Sequence, residues 1–103
     1  MSGKVAVSAY IKAKPGQEQR LVDISVVRQR ETLAHEVGCR SYALCRAHDD
    51  PGQLVFYETW TSQAALDAHI GAPHTKTWFA QTKDVSVEPS AITKLEFIAD
   101  LSR

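Results

Sequence analysis

Apolar and polar residues alternate near the start of the chain, and this alternation predicts a β-strand. The apolar members of the pattern are Val5, Val7, Ala9, Ile11 and Ala13. A period of two is typical of a strand that turns one face toward a hydrophobic core. The turn-forming sequence Lys14-Pro15-Gly16 ends the strand.

The period then changes to that of a helix, which we predict from Gln17 to about Val37. At about 100° per residue, four apolar side chains of this helix fall within one narrow stripe, and two more apolar residues beside it broaden the stripe. The stripe consists of Val22, Val26, Leu33 and Val37, with Val27 and Ala34 beside it. We therefore expect this stripe to pack on a sheet, and we expect Gly38 to end the helix.

Two more strands and two short helical segments follow. Residues 39–47 and 53–60 return to a strand pattern, and the turn sequence HDDPG at 48–52 joins them as a hairpin. Thr61 or Ser62 can cap the next helix, which Gly71 closes. Together these signals predict a hairpin followed by a capped helix.

The rest of the chain predicts one more helix and one more strand. Pro73 suits the first turn of a short helix that runs to about Thr82. The final strand is predicted at about Ser90 to Ala99, where Ile92 and either Leu95 or Phe97 would meet apolar neighbours.

The order strand, helix, strand, strand, helix, strand predicts an α+β fold of the ferredoxin-like split βαβ kind. Right-handed connections place the helices on one face of a four-stranded antiparallel sheet. The open face would carry Tyr42, Leu44, Val55 and Tyr57, which is much apolar surface for a small protein to expose. A homodimer that pairs two such faces is the simplest way to cover it.

Composition narrows the class of protein. The length of 103 residues suits a single domain, 1–103, and twelve basic residues balance twelve acidic ones. We therefore expect neither nucleic acid nor a membrane as a partner. The amino-terminal segment has no apolar core of a secretory signal, so a cytoplasmic location is expected. Cys39 and Cys45 would lie about 20 Å apart on one strand, too far for a disulfide.

Candidate chemistry begins on the predicted strand 53–60. Phe56, Glu58 and Trp60 share one face because they are two residues apart. If that face meets the helices, the carboxylate of Glu58 is partly desolvated and becomes a candidate for proton transfer. The alternative is a structural carboxylate that a helix amide or an arginine holds in place.

Two histidines follow, at 69 and 74. Their spacing of five does not match the i, i+4 spacing by which one helix grips a metal, so we expect no metal site. His69 and His74 could instead donate to a substrate oxygen or act as bases, and capping or packing is the alternative. His74 and Trp78 are four apart and share one helix face.

Three further residues have open roles. Trp60 and Trp78 could form the core or the walls of a binding pocket. Arg30 lies near the apolar stripe of the first helix, where it could reach the surface, pair with Glu58 or bind an anionic substrate. The chain has no phosphate-binding glycine loop, dinucleotide fingerprint, nucleophile elbow or CxxC pair, so no bound cofactor is expected.

Four segments carry a resemblance to a known family: KPGQEQRLV, EVGCRSY, LVFYETW and ALDAHIGAPHTKTW. With them the chain resembles the antibiotic biosynthesis monooxygenase domain, whose members include quinol monooxygenases, over about Val5 to Phe97. The resemblance implies a homodimer with a pocket between sheet and helices in each subunit. It also implies oxidation of a quinol or phenol by molecular oxygen, without metal or flavin.

Within this resemblance, Glu58, His69 and His74 would handle protons, while Phe56 and Trp60 would wall the pocket. The polyketide-oxidising branch has an asparagine at the position of Phe56 and a tyrosine at that of Leu66, and the haem-degrading branch also uses an asparagine. This chain contains no asparagine, so neither specialised activity is expected.

The sequence therefore predicts a cofactor-independent monooxygenase that acts on a small quinol or phenolic compound. Two alternatives stay open. One is an isomerase or degrading enzyme for a small phosphorylated, autoinducer-like sugar, to whose branch the Pro73 to Thr77 segment is similar. The other is a dimer that binds a small molecule without chemistry.

Overall fold

The computed structural model describes residues 3–87 and 90–103. They form an antiparallel sheet with helices packed on one of its faces. The elements in chain order are β1 (Val5–Lys12), α1 (Glu18–His35), β2 (Cys39–Ala47), β3 (Asp50–Trp60), α2 (Gln63–Ile70), α3 (Pro73–Thr82) and β4 (Ala91–Leu95). No helix in these described ranges is both long enough and apolar enough to cross a bilayer.

The strand order β2-β3-β1-β4, with every pairing antiparallel, confirms the predicted ferredoxin-like fold. The two central strands are β1 and β3, in a register that sets Val7 opposite Glu58 and Ala9 opposite Phe56. The last strand is shorter than predicted, because Phe97 and Ala99 lie beyond its end. The sheet therefore places the middle of β3 beneath the helices, with a strand on each side.

The hydrophobic core lies between the sheet and the helices. Its largest members are Phe56 and Trp60 from β3 and Trp78 from α3, each at most 2% exposed. Burying a large apolar side chain contributes about 1.5 to 3 kcal/mol, so these rings hold the helices on the sheet. The alternation predicted for β1 is confirmed, since Val7 and Ile11 are buried members of the same core.

The apolar stripe predicted for α1 is confirmed at Val22, which is half-buried and packs against the core, and is wrong toward the end of the helix. Leu33 and Val37 are 51% and 98% exposed. The buried face of α1 instead consists of Leu21, Ile24, Ser25, Arg28 and Thr32. Its small polar members have internal partners, because Thr32 donates to the Arg28 carbonyl at 2.7 Å and Ser25 accepts from the Trp78 indole at 3.0 Å. A polar helix face therefore covers part of the core.

Helix ends follow most of the predicted signals. The Ser62 hydroxyl accepts from the Ala65 amide at 3.1 Å and caps α2, while Pro73 begins α3. The first helix ends at His35, before Gly38. Gly38 has another role, since a Cβ on it would lie 2.5 Å from the Cβ of Ala65. The α1–β2 connection therefore packs directly on α2 at this glycine.

The open face of the sheet differs from the prediction at two residues. Tyr42 pairs with Glu58 and Leu44 with Phe56, so both point to the helix side. A register shift between Cys39 and Ser41 precedes them, and an extra residue there moves the following side chains to the opposite face.

The prediction for the other two residues is confirmed. Tyr57 is 40% exposed on the open face, and Val55 lies on the same side of β3. Tyr10 of β1, which pairs with Val55, is 48% exposed there as well. The open face thus presents two tyrosines to its surroundings.

Candidate active site

Strand β3 carries the first acidic group of the site to the helix side. Glu58 is 4% exposed and lies between Phe56 and Trp60 on that face, as the spacing of two predicts. The Trp60 indole N–H donates to Glu58 Oε1 at 3.1 Å. This hydrogen bond from Trp60, the next buried residue of the same strand, fixes the orientation of the Glu58 carboxylate.

Helix α2 places His69 directly against this carboxylate. His69 is 3% exposed, and its Nε2 lies 3.6 Å from Glu58 Oε1. The imidazole also packs on the Trp60 ring, with 4.6 Å between ring centroids. The structure therefore brings together a buried carboxylate and a buried imidazole that the sequence predicted separately.

Glu36, which the sequence did not single out, joins the two predicted histidines. It follows the end of α1, and its Oε2 lies 2.9 Å from His69 Nδ1 and 2.5 Å from His74 Nε2. Thr75 adds a longer contact of 3.4 Å to the same His69 nitrogen. Glu36 therefore links His74 to His69 through two hydrogen bonds.

The same three side chains could hold a transition metal, since their ligand atoms all lie within 4.8 Å of one another. Two imidazoles and a carboxylate are a common set of zinc or iron ligands. The i, i+4 spacing rule applies to one continuous helix, whereas the break between α2 and α3 lets His69 and His74 converge on Glu36. At the observed distances each imidazole forms a hydrogen bond to the Glu36 carboxylate.

This network has a consequence for the proton on His69. When Glu36 accepts the Nδ1–H, the Nε2 lone pair of a neutral imidazole faces Glu58. Two acceptors would then oppose each other at 3.6 Å. One proton, shared between Glu58 and His69 or supplied by a ligand, resolves the conflict. The pair is thus arranged to accept a proton from a bound molecule.

A cavity of about 40 Å³ opens beside Glu58 and His69, room for about three water molecules. Its walls are mainly apolar, and its polar members are Arg28, Glu58, His69, Thr75, Ser90 and Lys94. Phe79, Ser90 and Ile92 also line a wider recess of about 480 Å³ toward the end of α3. A ligand larger than the cavity can therefore extend into the recess.

The predicted site residues occupy three kinds of position. Phe56, Glu58, His69 and Trp78 line the cavity. Trp60 and His74 do not line it: Trp60 donates to the lining residue Glu58, and His74 is linked to the lining residue His69 only through Glu36.

Arg30 is exposed and does not line the cavity. The arginine that does is Arg28, two residues earlier on α1. Its helical spacing relative to Leu21, Ile24, Ser25 and Thr32 is the signal in the sequence that identifies it as part of the buried face.

Comparison with known proteins assigns the chain to a family. Residues 4–81 match the family model described as "Antibiotic biosynthesis monooxygenase", so the chain belongs to this family. Rv0793 of Mycobacterium tuberculosis is 36% identical over 95 residues, which cover 92% of each chain. The Escherichia coli protein named "Probable quinol monooxygenase YgiN" is 32% identical over 88 residues, covering 77% of this chain and 85% of that one.

Solved structures agree on the fold. The structure of Rv0793 superposes with a TM-score of 0.88 at 34% identity, over 96% of this chain and 99% of that one. A conserved protein from Methanosarcina mazei superposes with a TM-score of 0.84 at 26% identity, over 91% and 92% of the two chains.

Proposed function

We propose that this protein is a cofactor-independent monooxygenase that oxidises a small quinol or phenolic compound with molecular oxygen. The observation that carries the proposal is the convergence of Glu58 and His69, both under 5% exposed, on one apolar cavity. Membership of the family and the similarity to a protein named as a quinol monooxygenase support the same reaction class.

The chemistry follows from what the pair can do. Glu58 or His69 takes a proton from a phenolic O–H, and the resulting anion is electron-rich enough to react with oxygen. In the overall reaction one oxygen atom enters a ring C–H and the other leaves as water, so a quinol becomes a hydroxyquinone. The substrate supplies every electron, and no reductant is required.

The surroundings of the pair suit this role. Trp60 holds the Glu58 carboxylate, while Glu36 holds the far nitrogen of His69. Apolar walls exclude water, which strengthens electrostatic interactions inside the cavity and protects a reactive anion. We also propose that the protein works as a homodimer through the open face of its sheet.

The test is oxygen uptake by metal-depleted protein with a panel of hydroquinones. We expect uptake that survives chelator, and we expect one labelled oxygen atom in the product formed under ¹⁸O₂. Tight binding of a quinol without uptake would favour the alternative of a binding protein. Turnover of a phosphorylated sugar without oxygen would favour the isomerase or degrading enzyme.

A further inference from the structure

Arg28 is a buried cation that the proposed proton chemistry does not use. It lies on the core-facing side of α1 and is only 6% exposed. Its guanidinium carbon lies 3.8 Å from the centre of the Trp78 ring and 4.6 Å from that of Phe56. The Tyr42 ring is also near, at 5.7 Å. Three aromatic rings therefore hold the guanidinium at the cavity wall.

No carboxylate in residues 3–87 or 90–103 forms an ion pair with Arg28. Its Nε is buried and donates to no acceptor, and the buried Tyr42 hydroxyl lies close enough to interact with the guanidinium but forms no well-aligned hydrogen bond. Aromatic faces attract a cation but do not replace the oxygen acceptors that its N–H groups lose on burial. A buried charge without such partners is costly, so the cavity is suited to an anion.

Neighbouring protein groups do not fill that need. Burial raises the pKa of Tyr42, so its hydroxyl stays neutral. Glu58 lines the same cavity but is held by Trp60 and faces His69. Lys94, the other basic residue of the wall, adds a second positive charge. Among residues 3–87 and 90–103, therefore, no group pairs with the charge on this side of the cavity, and an anionic ligand would complement it.

We propose that Arg28 is the anion-binding residue of the cavity and that it binds the phenolate oxygen of an aromatic ligand. This assignment names the ligand class of the site proposed above and rests on that proposal. When Glu58 or His69 takes the phenolic proton, one O–H bond breaks and one forms on the acceptor. The negative charge left on the ligand then lies beside a guanidinium that pairs with no carboxylate in the described part of the chain.

The walls favour an aromatic ligand over a phosphate. Phe56 and Trp78 pack on the guanidinium, and Phe79 and Ile92 add apolar surface to the same cavity. A phosphate dianion would lose strong hydration there, whereas a flat ring would bury its own apolar area. The charge-assisted hydrogen bond to Arg28 then selects the ionised form of the ring.

The experiment uses 4-nitrophenol as a probe, because its phenolate absorbs visible light and its ionisation can be followed without turnover. Bound probe is titrated in wild type, Arg28→Met, Arg28→Lys and the matched surface control Arg30→Met. Nitrobenzene, which lacks the hydroxyl, reports on ring binding alone, while benzoate and inorganic phosphate compete as other anions. Circular dichroism confirms that each variant is folded.

We expect Arg28→Met to raise the pH at which bound 4-nitrophenol ionises by about one unit, a tenfold change in the ionisation ratio. Nitrobenzene binding should stay unchanged in the same variant, Arg30→Met should match wild type, and Arg28→Lys should fall between. Equal ionisation in wild type, Arg28→Met and Arg28→Lys would overturn the proposal. The proposal would also be overturned if 4-nitrophenol did not bind. It would likewise be overturned if only benzoate or phosphate, and not 4-nitrophenol, depended on Arg28 for binding.

These outcomes are separate from those of the oxygenase test. Ionisation of a bound probe needs neither oxygen nor product formation. A protein that binds phenolate through Arg28 but consumes no oxygen would keep this inference and lose the proposed activity. If oxygen uptake were unchanged in Arg28→Met, the proposed activity would be kept and the role of Arg28 would be lost.

Discussion

Glu36, which follows α1, contacts a histidine on a different helix and influences which nitrogen of that histidine carries the proton. Its Oε2 meets both His69 Nδ1 and His74 Nε2, which leaves His69 Nε2 directed at Glu58. The tautomer of His69 therefore depends on a group outside the cavity. In the proposed mechanism Glu36 would be a positioning residue, and Glu58 and His69 would be the groups that meet the substrate.

The substitution Glu36→Gln tests that role. The glutamine side chain can still form one hydrogen bond to an imidazole, but its amide can also donate to His69 Nδ1 and favour the wrong tautomer. We expect kcat for quinol oxidation to fall by roughly 10 to 100-fold, the range typical of lost orienting contacts, with KM nearly unchanged. A matching loss in KM with kcat intact would show that Glu36 shapes binding instead.

The two cysteines should differ in reactivity. Burial, with the nearby charges of Glu58 and Glu36, raises the pKa of Cys39 to about 11, whereas Cys45 is exposed. Only about one Cys39 side chain in a thousand is therefore a thiolate at pH 8. Iodoacetamide should modify Cys45 first, as mass spectrometry of Cys39→Ser and Cys45→Ser proteins can show. Faster modification of Cys39 at that pH would contradict the burial of its thiol.

Among the elements, the sequence predicted strands better than helices. Alternation on β3 correctly placed Phe56, Glu58 and Trp60 on the buried face, because a strand has only two faces. On α1 the apolar stripe misplaced Leu33, which is exposed, and missed Arg28 and Thr32, which are buried. A helix can bury polar groups that find partners in the tertiary structure, and such partners cannot be seen from spacing.

The candidate site shows the same division. Glu58 and His69 were recognisable because both lie in elements with clear patterns. Glu36 was not, because its contacts with His69 and His74 join residues 33 and 38 positions apart. The extra residue in β2 before Tyr42 is equally invisible in a pattern of period two, and it reversed the predicted face of that side chain. Long-range packing decided each of these cases.

Gly38 joins the start of β2 to α2 and provides a test at the level of these elements. An alanine there would place its Cβ 2.5 Å from the Cβ of Ala65. We expect Gly38→Ala to lower the free energy of unfolding by about 1 to 3 kcal/mol through overpacking, measured by urea denaturation.

Two further variants control this measurement. Gly71→Ala meets nothing closer than 3.9 Å, so it should have a smaller effect. The double variant Gly38→Ala with Ala65→Gly should recover part of the loss, because it removes the clashing methyl group. No recovery would place the cause elsewhere than in this contact.

For the whole molecule, the open face of the sheet is the surface that a second copy of the chain would cover. It exposes Tyr10 and Tyr57 on the central strands and Leu95 on β4, which is 38% exposed. Near one end, Phe97 and Asp100 line a depression together with Tyr57. Stable protein interfaces bury about 1,200 to 2,000 Å², so a dimer formed here would have to cover most of this face.

A charge at the centre of that face should therefore prevent dimer formation. We expect wild type to have the mass of a dimer by light scattering and Tyr57→Lys to have that of a monomer, since an unpaired charge in an interface is costly. Val27→Lys is the matched control, because Val27 is 60% exposed on α1. A monomeric wild type, or a dimeric Tyr57→Lys protein, would count against this interface.

The central claim is that Glu58 and His69 take the proton whose loss makes a substrate reactive toward oxygen. Oxygen uptake by the Glu58→Gln variant tests this claim most directly. Glutamine keeps the shape and can still accept from the Trp60 indole, but it cannot take up the proton. With metal-depleted protein and a quinol that wild type oxidises, we expect kcat to fall by at least about 100-fold. The exposed control Glu31→Gln should keep the wild-type rate. Wild-type uptake by a folded Glu58→Gln protein would contradict the account.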